Sequence, residues 1–210
     1  MQGQIILNII LLAIIIIISI SFHEFSHSIM AYILGDSTAK DQGRLTLDPT
    51  KHITIWGLIF MVLTGFRFGW GKPTPINPNN LKNKYLYILI IALAGPISNI
   101  ILALFFALLL KINIYGDLTN SKILYIINYF IIINVSLAIF NLIPIPPLDG
   151  GNMLNFIFKK SSIEDFFYKY GIYILIIMIL PIIPINGYES LIQVIITPII
   201  NFIYTILIFL

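Results

Sequence analysis

The 210-residue chain has no cysteine. That excludes disulfides and every thiolate-held metal, and it leaves the redox compartment open. Charge is also scarce. Only 10% of residues are charged and 59% are hydrophobic, where a soluble domain carries about 25% charged residues to cover its surface. A chain of this length cannot cover itself with water-compatible groups, so it is expected to be an integral membrane protein folded as one domain over residues 1–210. The net charge of +3 is too small and too scattered for a nucleic-acid partner. No internal repeat and no low-complexity linker is visible. Met1-Gln2-Gly3-Gln4 lacks the Lys or Arg of a signal peptide, and no small-residue cleavage site follows. The first apolar run is therefore expected to stay as a helix.

Long apolar stretches are what the chain does have. Five run over roughly 5–34, 85–110, 122–145, 168–185 and 188–210, each near or above the roughly 17–25 residues that cross a bilayer as a helix. Asn186-Gly187 divides the last two, and Pro181, Pro184 and Pro198 are expected to kink them. The run at 53–66 is shorter and reads as re-entrant or interfacial. Two polar segments flank it. In Gly43-Arg44-Leu45-Thr46-Leu47-Asp48-Pro49 the alternation predicts a short strand. The stretch 69–80 holds Gly71, Pro73, Pro75 and Pro78 and reads as an extended edge segment.

Histidine is rare, with three copies, and two of them fall in His23-Glu24-Phe25-Ser26-His27. This is the H-E-x-x-H pattern. Positions i and i+4 share a helix face, so both imidazoles can reach one ion while Glu24 lies beside it, ready to take a proton from water. The five residues sit inside a continuous apolar helix, where ionisable groups are costly and usually functional. A catalytic zinc needs three protein ligands, so a third is required. Asp149, in Asn141-Leu142-Ile143-Pro144-Ile145-Pro146-Pro147-Leu148-Asp149-Gly150-Gly151, follows a long apolar helix where prolines and glycines force irregular backbone. Such backbone is tolerated at membrane depth only where it is buried in protein or lines a wet cavity. The residues alone leave open an ordinary interfacial turn. They also leave Asp36, Asp41, Asp48 and His52 as rivals, with His52 reading more readily as a hydrogen-bonded interfacial imidazole.

Three separated motifs resemble the site-2 protease family of intramembrane zinc metalloproteases, over His23 to about Leu154. Phe22-His23-Glu24-Phe25-Ser26-His27 resembles that family's zinc-binding helix. Ala94-Gly95-Pro96-Ile97-Ser98-Asn99 is similar to the opening of its second core helix, and Phe140-Asn141-Leu142-Ile143-Pro144 through Leu148-Asp149-Gly150-Gly151 to its third motif. Gly43 to His52 and Phe68 to Pro78 resemble its small branch, which lacks PDZ and CBS domains. The chain departs from that branch at Asp48, commonly Asn, and at Thr54-Ile55, where Asp-Pro is common. The resemblance implies one zinc ion per chain on His23, His27 and Asp149, with Glu24 as general base. It gives Asn141 a role in holding substrate or the developing oxyanion. The implied architecture is an all-α polytopic membrane protein. It has a three-helix catalytic core, peripheral helices, and small β-hairpin and re-entrant elements on the active-site side. The implied activity is cleavage of single-span membrane proteins within the bilayer, in the plasma membrane of a prokaryote. A membrane ion or metal transporter and a catalytically inactive membrane binding protein are the alternatives. A transporter is expected to show paired broken helices in related halves, and an inactive binder has no use for Glu24.

Charge predicts the orientation. If His27 and Asp149 share one ion, the helices over 5–34 and 122–145 end on one side, and 53–66 makes no net crossing. Lys40, Arg44, Lys51, Arg67, Lys72, Lys82, Lys84, Lys159, Lys160 and Lys169 then lie on the site's side, with only Lys111 and Lys122 opposite. Positive residues stay inside, so the site side is expected to be cytoplasmic and the N-terminus outside.

Overall fold

The computed structural model describes residues 2–63, 71–115, 121–158, 161–180 and 190–209. Regular structure among them is almost entirely helical. Four long helices, α1 (Gln2–Ile33), α5 (Lys84–Tyr115), α6 (Ser121–Asn141) and α9 (Leu191–Phe209), carry stretches long and apolar enough to cross a bilayer. The chain is an integral membrane protein. Shorter helices fill the connections: α2 (Thr38–Asp41), α3 (Pro49–His52), α4 (Ile55–Leu63), α7 (Gly151–Phe158) and α8 (Ser162–Ile179).

Of the stretch expected to cross at 168–185, residues 168–180 are described. Its helix, α8, starts earlier because Ser161 caps it, accepting from the Glu164 amide at 3.3 Å. That start adds Glu164 and Asp165 to a helix that also holds Lys169, and among the described residues α8 is not one of the helices apolar enough to span. Pro181, Pro184 and Asn186-Gly187 lie outside the described residues.

Lipid tails are as apolar as leucine, so helices in a bilayer associate through close packing and polar contacts. Ala103, Ala107 and Leu110 of α5 meet Ile127, Ile131 and Val135 of α6, and Leu207 of α9 closes this core. Phe106 stacks on Phe130 with ring centroids 4.0 Å apart. The two alanines, one turn apart, let α5 and α6 approach closely.

The expected short strand within 43–49, and the β-hairpin with it, is not formed. Among the described residues the β contact is one antiparallel bridge, Ile53 with Gly71. The backbone turns at Gly43, with φ +67°. The Thr46 carbonyl accepts from His52 Nε2 at 2.6 Å. Side chains thus take acceptors that a ladder needs, and four alternating residues do not compensate. The stretch 72–77 forms no strand: Pro73 and Pro75 have no N–H to donate, and the amides of Thr74 and Asn77 go to side-chain carboxylates. Phe68-Gly69-Trp70 lies outside the described residues.

The re-entrant reading of 53–66 meets a nine-residue helix, α4, about 13 Å long at 1.5 Å per residue and far short of the ~30 Å hydrocarbon layer. The Ile53–Gly71 bridge, with the Lys72 amide donating to the His52 carbonyl at 2.6 Å, brings the two ends of this excursion together.

Candidate metal centre

His23 and His27 lie on one face of α1 and are both buried. Asp149 comes from the loop after α6. The loop turns tightly because the Gly150 amide donates back to the Asn141 carbonyl at 2.6 Å. A Cβ at Gly150 would stand 2.4 Å from the carbonyl oxygens of both Leu142 and Ile143, so only glycine lets the aspartate return toward α1.

The three side chains converge. His23 Nε2 lies 3.0 Å from Asp149 Oδ2 and 3.0 Å from His27 Nε2, and His27 Nε2 lies 3.2 Å from Asp149 Oδ2. The outer nitrogens fix what these atoms carry. His27 Nδ1 donates to the Ile91 carbonyl at 2.7 Å, and His23 Nδ1 donates to Asn99 Oδ1 at 2.6 Å. A carbonyl only accepts, so each neutral imidazole holds its proton on Nδ1 and turns a bare Nε2 lone pair inward. Two lone pairs and a carboxylate oxygen thus meet with no proton among them, an arrangement that calls for a cation. Zinc–ligand bonds of about 2.0–2.1 Å imply tetrahedral edges of about 3.3 Å, close to the triangle observed. Two imidazoles and one carboxylate match the donor chemistry of catalytic zinc sites. The residues fit the ion.

Several supporting residues had no role assigned in the sequence reading, although Gly95, Asn99 and Thr74 lie within its motifs. Asn99 Nδ2 donates to Asn134 Oδ1 at 2.7 Å, and Asn134 Nδ2 donates to Ser19 Oγ at 2.9 Å. This buried chain ties α1, α5 and α6 together and sets the amide orientation that lets Asn99 accept from His23. Gly95 leaves room for both imidazoles, since a Cβ there would stand 2.4 Å from His27 Nε2 and 2.6 Å from His23 Nε2. Glu24 Oε2 accepts from the amide and the hydroxyl of Thr74, each at 2.9 Å. Polar residues inside apolar helices were the available signal for Asn99 and Asn134. Thr74 lies in the family-like stretch 68–78, but nothing local gives it a role.

The rival ligands are occupied elsewhere. Asp36 is fully buried and accepts from the Thr38 hydroxyl at 2.5 Å, the Asn77 amide at 2.7 Å and the Asn80 side chain at 2.7 Å. Burial pushes its carboxyl up, but these donors outweigh it and hold the group below the usual carboxylate range. Asp41 accepts from the Ser37 hydroxyl at 2.7 Å. Asp48 caps α3, accepting from the Thr50 amide at 2.9 Å. His52 is buried on the Thr46 carbonyl, away from the ligand triangle. Asn141 Nδ2 donates to the Leu137 carbonyl of its own helix at 2.9 Å.

A model of peptidase family M50 matches residues 11–115 and 109–182. The candidate zinc metalloprotease YwhC of Bacillus subtilis (strain 168) is 41% identical over 144 residues, covering 66% of this chain and 65% of the relative. The candidate zinc metalloprotease Rip2 of Mycolicibacterium smegmatis (strain ATCC 700084 / mc(2)155) is 29% identical over 138 residues, covering 64% of this chain and 52% of the relative. The protease RseP of Photorhabdus luminescens is 34% identical over 70 residues, covering 30% of this chain and 31% of the relative. The matched stretch thus spans between about a third and two thirds of these relatives' lengths. No solved structure gives a significant match.

Proposed function

Because the chain belongs to peptidase family M50, we propose that it is a zinc endopeptidase that cleaves transmembrane segments of membrane proteins within the bilayer. The observation that carries this reading is the convergence of His23 Nε2, His27 Nε2 and Asp149 Oδ2 within 3.2 Å of one another on and beside a membrane-length helix. His23 lies ten residues before the end of α1 at Ile33, which is about 15 Å along the helix axis. That depth favours hydrolysis inside the hydrocarbon layer over a site in a soluble loop.

A zinc ion held by these three residues supplies Lewis acidity and water acidic enough to ionise near neutral pH. The chain supplies the rest. Glu24 accepts a proton from the attacking water and returns it to the leaving amine. The Asn99 side chain and the Ile91 carbonyl keep both imidazoles in the tautomer that binds metal. Asn141 contacts the substrate backbone or the developing oxyanion, for which its amide must leave the Leu137 carbonyl. A helical substrate hides its carbonyls in i to i−4 hydrogen bonds, so it must unwind before cleavage.

The test is metal removal. Purified protein in detergent, given a single-span membrane protein, is expected to cleave it. Chelation to below one equivalent of zinc should abolish cleavage, and added zinc should restore it. Asp149→Ala should lower both zinc content and cleavage by about 10-fold or more, since even outer partners of ligands are worth 10–100-fold. Cleavage that survives complete zinc removal would refute the proposal.

The same geometry supports an orientation in the membrane. The ends of the excursion at 53–71 meet at the His52–Lys72 hydrogen bond, which supports the ten-to-two split of basic residues given above. Of those twelve, Arg67, Lys159 and Lys160 lie outside the described residues. We place the site-side loops in the cytoplasm, at the plasma membrane of a prokaryotic cell. A cysteine at Gln2 should react with a membrane-impermeant thiol reagent in intact cells, and one at Asn79 should not. The reverse pattern, or labelling of both, would overturn this topology.

A further inference from the structure

Thr74 touches the one carboxylate that the proposed chemistry uses as a base, from a segment 50 residues away in the chain. Its backbone amide and its hydroxyl both reach Glu24 Oε2, each at 2.9 Å. The hydroxyl also lies 3.0 Å from the Glu24 carbonyl and 3.2 Å from Ser28 Oγ. A hydroxyl has one proton to give. Ser28 Oγ donates to the Glu24 carbonyl at 3.0 Å, and of the two acceptors in reach of the Thr74 hydroxyl the carboxylate is the stronger and the nearer, at 2.9 Å. Both donors therefore converge on Oε2, and Oε1 takes neither.

The segment that carries Thr74 is built to stay where it is. Pro73 and Pro75 flank it. Each ring fixes its own φ, and Pro75 also confines Thr74 to extended backbone. Across 73–75 the Thr74 amide is the sole backbone donor, and it goes to Glu24. The carbonyls of Lys72 and Pro73 accept from the Arg44 guanidinium, and the Lys72 amide donates to the His52 carbonyl at 2.6 Å. Arg44 and His52 are both buried. Beside Oε1 stands Gly71, where an added Cβ would come within 3.5 Å of Oε1 and 3.0 Å of the His52 carbonyl.

We propose that Thr74 is a positioning residue for the reaction: its two donors lock Glu24 through Oε2 and reserve Oε1 for proton transfer. This rests on the assignment of Glu24 as the base. A carboxylate on a three-bond side chain otherwise rotates among several orientations, and only one aims an oxygen at the attacking water. Holding a catalytic group in one geometry is worth large rate factors, and small misplacements cost them.

Thr74→Val keeps the branched shape and the amide and removes the hydroxyl. It should lower kcat by about 10-fold, with KM and zinc content unchanged, as expected for losing one of two positioning contacts. Thr74→Ser restores the hydroxyl and should stay within about twofold of wild type. In a Glu24→Gln background Thr74→Val should reduce the residual cleavage no further, because its effect runs through the carboxylate. Wild-type kcat in Thr74→Val overturns the proposal. So does loss of zinc or of folding in that variant, an undiminished effect in the Glu24→Gln background, or failure of Thr74→Ser to recover activity. If wild type cleaves and Glu24→Gln cleaves equally well, the base assignment itself falls and takes this proposal with it.

Discussion

Glu24→Gln is expected to hold a full equivalent of zinc and to lose proteolysis by about 10²–10⁴-fold, the usual worth of a positioned general base. The two halves of that result have different causes. Zinc is retained because Glu24 is not one of the three converging ligands; its Oε2 is engaged by Thr74 instead. The amide of glutamine can keep its carbonyl oxygen toward the Thr74 donors, so the fold around the substitution has no reason to change. Proteolysis is lost because an amide has no lone pair basic enough to accept a proton from water. Zinc content by elemental analysis and cleavage of a single-span substrate, measured on one preparation, check both halves. Loss of zinc would move Glu24 into the ligand set. Retained cleavage would move the base to another residue.

What could be read from the sequence divides along a physical line. His23, Glu24 and His27 were legible because their spacing is set by one helix, and a helix fixes relative positions within a turn. The long helices were legible because the bilayer imposes length and apolarity together; the bounds of α1 and α5 lie within a few residues of the apolar runs. Asp149 was visible as a lone acid among prolines and glycines, but the residues alone did not separate it from a solvated turn. The step from there needs the third dimension, where Gly150 lets the loop close on Asn141.

The partners of the ligands were not legible, because each lies on a different element. Asn99 is 76 residues from His23, and Asn134 a further 35. Thr74 sits in a proline-rich stretch whose composition reports only extended backbone. The strand expected at 43–49 failed for a related reason. Alternation records which face a side chain takes, but not that His52 would occupy the Thr46 carbonyl. In the same way the apolar run did not reveal that Ser161 caps α8 early and brings Glu164 and Asp165 into the helix.

Gly95→Ala is expected to lower zinc affinity by about 10-fold or more, on the scale set by disturbing a ligand's support, with a smaller loss of stability in the metal-free fold. The added methyl carbon would stand 2.4 Å from His27 Nε2 and 2.6 Å from His23 Nε2 and Cε1. Carbon and nitrogen cannot approach that closely, so the imidazoles must withdraw. Neither can do so freely. His23 is held at Nδ1 by Asn99 and His27 at Nδ1 by the Ile91 carbonyl, at 2.6 and 2.7 Å. Both rings are buried, and Asn99 is itself fixed by Asn134. The methyl group therefore crowds the two nitrogens that would hold the ion, and relief comes only by breaking an outer hydrogen bond. Backbone preference acts in the opposite direction. Gly95 lies inside α5, and alanine in a helix interior is favoured over glycine by roughly 0.5–1 kcal/mol. A general folding defect would lower stability and zinc in step, whereas here the helix preference offsets part of the stability loss and zinc affinity falls further than stability. Zinc titration against a competing chelator, beside thermal unfolding of the metal-free protein, separates the two. Wild-type zinc affinity in Gly95→Ala would mean that the imidazoles do not bind their ion on the side facing α5.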